Sequence, residues 1–198
     1  MQDMSDEAPD GTGVVKLHRA KRAVRNLLLA VGENPEREGL KETPGRVARS
    51  FAEMLAGYRQ DPAKILACDF GSERYDEMVV LRAIPFHSLC EHHLLNFSGT
   101  ATVAYLPMER VVGISKLARL VECYARRLQI QERMTVQIAD ALAEHLKPRG
   151  WGVRIEAQHL CMRARGVRIE PGPLVTTAVG GLIKEDEKAR AEFLGERK

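Results

Sequence analysis

Long apolar runs are missing from this sequence: none approaches the roughly 20 residues that a bilayer-spanning helix needs. That argues against a helical membrane protein, and no membrane partner is expected. The opening Met1-Gln2-Asp3-Met4-Ser5-Asp6-Glu7 has neither the basic nor the apolar region of a secretory signal, so the expected location is cytoplasmic. An excess of one charge is missing too. Thirty basic residues stand against 27 acidic ones, a formal balance of +3, without the one-sided surplus of a nucleic-acid-binding chain. Cysteine is scarce: Cys68, Cys90, Cys123 and Cys161 are too few for a disulfide scaffold in 198 residues. In a reducing compartment each is a thiol, and metal binding becomes the question for each. Internal repeats, low-complexity tracts and long linkers are also absent.

What is present suits one sizeable core, with 44% apolar and 29% charged residues. Residues 1–12 are acidic, lack an apolar period and read as a disordered tail. Residues 13–70 read as an N-terminal helical region. There Leu17, Ala20, Val24, Leu27, Leu28 and Val31 recur at helical steps until Gly32 and Pro35, and a second helix follows Thr43-Pro44 with Val47, Phe51 and Met54 on one face. Residues 71–198 mix the two periods. Strands are expected at 78–81, 100–106, 153–161 and 174–179, and helices from Ser115, from about Gln131 and over 184–194. The fold class is α+β.

The sharpest local signal is Cys90-Glu91-His92-His93, because residues three apart on one turn can present two ligands to one ion. Cys161, about 70 residues downstream, offers a third soft ligand on a segment whose alternation puts it on the same strand face as His159. Three protein ligands are the mark of a catalytic zinc, whose fourth position stays open for water or substrate. Buried thiols and ordinary surface histidines account for the same residues unless the two halves meet. His92 and His159 flank the ligands and suit proton transfer, or the orientation of a ligand. Cys68, Cys123, His18, His87 and His145 lack such company and read as structural.

A second group is cationic. Ser115 reads as the N-cap of a helix whose Lys116 and Arg119 lie one turn apart on one face, an arrangement that suits phosphate, and Arg165 follows Cys161 by four residues. Solvated helix charge is the plainer account of the two helix cations. Glu132, at a helix start, is electrostatically comfortable there without any ligand. Its two oxygens could equally accept from the paired N–H groups of a guanine edge.

These segments together resemble the GTP cyclohydrolase I family. The matching stretches are Asn34-Pro35-Glu36-Arg37-Glu38-Gly39-Leu40 with Thr43-Pro44-Gly45-Arg46-Val47, Ser88-Leu89-Cys90-Glu91-His92-His93-Leu94, Gly113-Ile114-Ser115-Lys116-Leu117, Gln129-Ile130-Gln131-Glu132-Arg133, and His159-Leu160-Cys161 with Arg165-Gly166-Val167. The resemblance implies a tunnelling fold, an antiparallel sheet backed by helices, assembled as a homodecamer with sites between subunits. It implies one zinc per subunit on Cys90, His93 and Cys161, with His92 and His159 as proton-transfer groups. Glu132, helped by Gln131, would hold the guanine of GTP, and Ser115 would assist the sugar rearrangement. Lys116, Arg119 and Arg165 would hold the triphosphate, joined by Arg46 from a neighbouring subunit. The implied reaction converts GTP to formate and 7,8-dihydroneopterin triphosphate, the first step of tetrahydrofolate and pterin biosynthesis. A paralogue serving a deazapurine or specialised pterin pathway, and a non-catalytic zinc-stabilised assembly protein, are the competing readings. The chain departs from the family's usual pattern at His87, Asn96 and Ile169-Glu170-Pro171.

Overall fold

Helical and strand periods separate along the chain as the sequence suggests, and the strands gather into one sheet that carries the chemistry-bearing residues at one end. The computed structural model describes residues 13–67, 75–108, 111–169 and 172–195. The expected tail at 1–12, Cys68 and the departures at Glu170 and Pro171 lie outside them.

The chain divides into two compact units, residues 1–59 and 60–198. In the first, α1 (Leu17–Ala30) packs on α2 (Thr43–Met54), followed by a short 3-10 turn at Ala56–Arg59. Pro44 sits in the first turn of α2, where its missing N–H costs nothing. Arg25 pairs with Glu36 at 3.0 Å and Arg37 with Glu33 at 2.9 Å, tying the connecting segment together. None of the residues of α1 is buried.

The second unit opens with α3 (Pro62–Leu66), capped by the Asp61 carboxylate, which accepts from the Ala63 N–H. Its sheet has the order β3-β1-β2-β4-β5. Strand β1 (Val79–Cys90) pairs antiparallel with β2 (Asn96–Leu106), β2 with β4 (Gly150–His159), and β4 with β5 (Leu174–Gly181). The two-residue β3 (Leu128–Gln129) pairs parallel with the end of β1, matching Leu89 to Leu128 and Cys90 to Gln129. A bulge between Leu81 and Ile84, where Ala83 takes a positive φ of 55°, interrupts β1 and bends it.

Strand alternation sends Phe97, Val103, Tyr105, Val153 and Ile155 to one face, where α4 (Ile114–Ala125) and α5 (Gln131–Leu146) cover them with Leu117, Leu120, Val121, Met134, Ile138 and Leu142. The out-of-phase Ala104 and Leu106 join Met78, Ile183 and Phe193 in a second cluster beneath α7 (Leu182–Glu185) and α8 (Glu187–Leu194). These two helices replace the single terminal helix expected over 184–194, with Asp186 capping the second through the Ala189 N–H. The hydroxyl of buried Tyr105 accepts from the Val112 N–H at 2.9 Å, anchoring the entry to α4. No helix among the described residues is long and apolar enough to cross a membrane.

Two local expectations are corrected. The N-cap of α4 is Gly113, with no side-chain cap bond, and Ser115 lies inside the first turn. The Gly113 carbonyl already accepts from the Lys116 N–H at 2.8 Å, so the turn closes two residues before the serine. Strand β4 ends at His159, and Cys161 belongs to the short helical turn α6 (Leu160–Arg163) instead of sharing a strand face with it.

Gly99 of β2 faces Ala157 of β4, and a methyl group at Gly99 would overlap the Glu156 carbonyl oxygen and crowd the Ala157 Cα. Both obstacles are backbone, so they cannot rotate away. Gly99→Ala should cost about 1–3 kcal/mol, as overpacked positions do, read as a lower urea midpoint at unchanged slope. An unchanged midpoint would show that the two strands can part there without cost.

Candidate metal centre and adjoining cleft

The turn that joins β1 to β2 builds the first half of the site. The Cys90 carbonyl accepts from the Leu94 N–H at 2.8 Å, and the Cys90 N–H donates to the Leu95 carbonyl at 2.8 Å, with Leu94 at a φ of 54°. One helical turn therefore closes the hairpin and carries Cys90 and His93 round to the same side. The turn α6 brings Cys161 to meet them, and the donor atoms of Cys90, His93 and Cys161 all lie within 4.8 Å of one another.

The donor set fits a thiophilic divalent metal such as zinc: two thiols and an imidazole, with Cys90 buried. Burial, and then the neighbouring Cys90 sulfur, push the Cys161 thiol up from its usual value, while Arg165 pulls it down. Two adjacent sulfurs of this kind ionise together only beside positive charge, and a metal ion is the strongest such charge available. Arg165 Nη1 lies 2.9 Å from His93 Nε2 and, having no lone pair, can only donate to it.

A network unremarked in the sequence braces the turn. Arg133, in the first turn of α5, makes a two-pronged ion pair with Glu91, donates to the Leu128 carbonyl at 3.2 Å and reaches Gln129 Oε1 at 3.1 Å. The Arg133 guanidinium is the main reason the Glu91 carboxyl is held below the usual carboxylate range. The Glu91 N–H also donates to the Gln129 carbonyl at 3.0 Å, so strand β3 and helix α5 hold the ligand turn by backbone and side chain together. Gln129 lies on β3 and Arg133 in α5, so no helical spacing in the sequence announces it.

Beside the ligands lies a cleft of about 490 Å³, lined by Cys90, His92, Gln131, Glu132, His159 and Cys161 among others. His159 is fixed on two sides. Its ring stacks on Phe97 at 4.8 Å between centroids and 2° from parallel, and its Nε2 lies 2.9 Å from Gln131 Oε1. Register explains the stack, since Phe97 and His159 are partners across β2 and β4. Burial lowers the His159 pKa, and the charge of Glu132 opposes that shift. Glu132 is exposed in the first turn of α5, whereas the Gln131 side chain is wholly buried.

Within one chain the cations do not share this cleft. Arg165 reaches the ligand group, but Lys116 and Arg119 line a separate depression with Lys64, Asp61 and Glu122. Ser115 is exposed at the start of the same helix. Arg46 lies in α2 of the first unit.

The family model described as GTP cyclohydrolase I matches residues 20–198. The chain is 53% identical over 176 residues to the GTP cyclohydrolase 1 of Dehalococcoides mccartyi, covering 88% of this chain and 93% of that one. It is 56% identical over 178 residues to the protein of the same name from Mycolicibacterium gilvum, covering 89% and 88%. A solved structure described as the archaeosine synthase QueF-Like in the apo form is 17% identical, with a TM-score of 0.43 over 55% of this chain and 97% of the other. The model match and the extent of identity together make this chain a member of the GTP cyclohydrolase I family.

Proposed function

We propose that this protein is a GTP cyclohydrolase I that converts GTP and water to formate and 7,8-dihydroneopterin triphosphate, a product for tetrahydrofolate and pterin synthesis. The observation that carries the reading is the meeting of Cys90, His93 and Cys161 at the edge of a cleft that also presents His92, His159 and Glu132. Cys90, His93 and Cys161 would hold one zinc per chain. Bound there, zinc supplies Lewis-acid activation of water at neutral pH.

The chain's own side chains have separate tasks in this reaction. Opening the imidazole ring of guanine at C8 requires a proton taken from water and protons delivered to the ring nitrogens that are released. His159 and His92 would make those transfers, a reading supported by their position on the cleft, His159 being held by Phe97 and Gln131 and His92 lying on the ligand turn. Glu132 offers two acceptor oxygens to the paired N–H donors on the guanine edge, which adenine lacks. Ser115 assists the rearrangement of the ribose. Lys116, Arg119, Arg165 and Arg46 bind the triphosphate, with cations contributed by neighbouring copies in a homodecamer whose sites lie between subunits. Two features support assembly. Part of the apolar surface of α1 is uncovered, with Leu27 60% and Leu29 49% exposed, and Leu174 and Val175 on the edge strand β5 are 43% exposed each. The expected compartment is the cytoplasm.

Incubating the purified protein with GTP tests the reading directly. Release of formate together with an oxidisable, fluorescent pterin is the expected result, and neither product from zinc-replete protein would overturn it. The phosphate assignment has its own test. Arg119→Ala should lose about 10- to 150-fold in kcat/KM for GTP, as one charge-assisted hydrogen bond of about 1.5–3 kcal/mol does, and little for guanosine at the same ionic strength. An equal loss on both substrates would make Arg119 a structural residue.

A further inference from the structure

Gln131 is wholly buried, and the hydrogen-bonding capacity of its amide is directed into the protein. Its Nε2 faces three acceptors: the Ile155 carbonyl at 3.1 Å, the Leu174 carbonyl at 2.9 Å and Thr176 Oγ1 at 3.1 Å. Two of these are carbonyl oxygens, which cannot donate. The amide can therefore sit in only one of its two orientations, with nitrogen toward the carbonyls and oxygen toward His159. The hydroxyls extend the same directed chain. Thr135 Oγ1 donates to the Gln131 carbonyl at 2.8 Å, so in its 2.6 Å contact with Thr176 the Thr176 hydroxyl is the donor. Strands β4 and β5 and helix α5 thus converge on one amide.

The consequence falls on His159. Gln131 Oε1 has lone pairs and no proton, so His159 Nε2, 2.9 Å away, must carry the hydrogen. The stack on Phe97 fixes the ring plane, and the hydrogen bond fixes which edge points inward. Among the described residues no hydrogen bond engages Nδ1. From this we infer that Gln131 is a positioning residue: it holds His159 as the Nε2–H tautomer and leaves Nδ1 as the nitrogen that exchanges protons with whatever occupies the cleft. The inference deepens the proposed reaction and rests on it for its functional meaning. In that reaction Nδ1 takes a proton from the attacking water as the oxygen–C8 bond forms and the C8–N7 double bond gives its π pair to N7. It passes that proton to N7, the remaining hydroxyl proton goes to N9 as the C8–N9 bond breaks and the formyl C=O forms, and Nε2 keeps its hydrogen throughout. Gln131 then acts on the substrate through His159, and recognition of the guanine edge rests on the exposed Glu132.

The first measurement leaves Gln131 untouched. Histidine-labelled, zinc-loaded wild type is examined by solid-state 15N spectroscopy at a pH where imidazole is neutral, with the His159 signals identified by their loss in His159→Phe. A protonated Nε2 and an unprotonated Nδ1 are expected, and a protonated Nδ1 overturns the inference. Gln131→Met supplies the second measurement. Formate release should fall about 10- to 100-fold in kcat, the range typical of groups that orient another residue, with KM for GTP and zinc content unchanged. An unaltered kcat, or a loss carried by KM, would overturn the positioning role, the latter in favour of direct contact with substrate. Should the methionine variant fail to fold, the wild-type spectrum decides. Wild type that releases no formate would sink the proposed reaction while leaving the tautomer result standing.

Discussion

Cys161→Ser protein should come through dialysis without zinc and without formate release, while the wild type retains one zinc per chain. The argument starts from the donor count: three donor atoms lie within 4.8 Å of one another, and no other such group occurs among the described residues. A catalytic zinc has no protein ligand in reserve, since its fourth position belongs to water or substrate. A serine hydroxyl is a poor replacement for a thiolate, because it stays protonated and hard where the metal favours soft sulfur. Cys161 is only half-buried, in a four-residue helical turn outside the sheet, so the substitution should leave the circular dichroism unchanged. That separates loss of metal from loss of fold. Wild-type zinc content in the variant would show that Cys161 is not a ligand.

His159→Ala should keep its zinc and lose about 10²–10⁴-fold in turnover, the usual contribution of a general acid–base group. Alanine also removes the ring that stacks on Phe97, so part of any loss could come from loosened packing between β2 and β4. His159→Phe is the control, because it keeps a flat ring against Phe97 and has no nitrogen. Equal losses in the two variants assign the effect to proton transfer. Recovery of activity in the phenylalanine variant would assign it to packing, and zinc lost stoichiometrically from either would make the histidine a ligand.

The parts of this architecture governed by short-range rules could be read directly. The apolar steps through Leu17, Leu27 and Leu28, and those through Met134, Ile138 and Leu142, mark helices that the structure contains. The i,i+3 spacing of Cys90 and His93 is likewise a local property of one turn. What escaped depended on register or on distant partners. The stack of His159 on Phe97 follows from pairing across β2 and β4, and no short window of sequence contains it. Alternation continued past His159 placed Cys161 on a strand, because periodicity does not see where a strand stops. Ser115 has the chemistry of a cap, but the chain turns two residues earlier at Gly113. Gln131 reads as polar and available beside Glu132. Only three-dimensional contact with Ile155, Leu174 and Thr176 shows where its amide is directed.

The scattered origin of the candidate ligands also sets when a newly made chain could complete a metal site. Cys90 and His93 leave the ribosome early, yet Cys161 comes about 70 residues later, and the Leu174 and Thr176 acceptors that hold Gln131 come later again. A nascent chain that has passed the first two ligands has the hairpin turn but neither the third donor nor the strand that orders the neighbouring histidine. The complete donor set therefore exists only once Cys161 has been made. Until Cys161 emerges, only one thiol and one imidazole are available, so a metal of the kind proposed would find its three-donor site only after the later strand has been made.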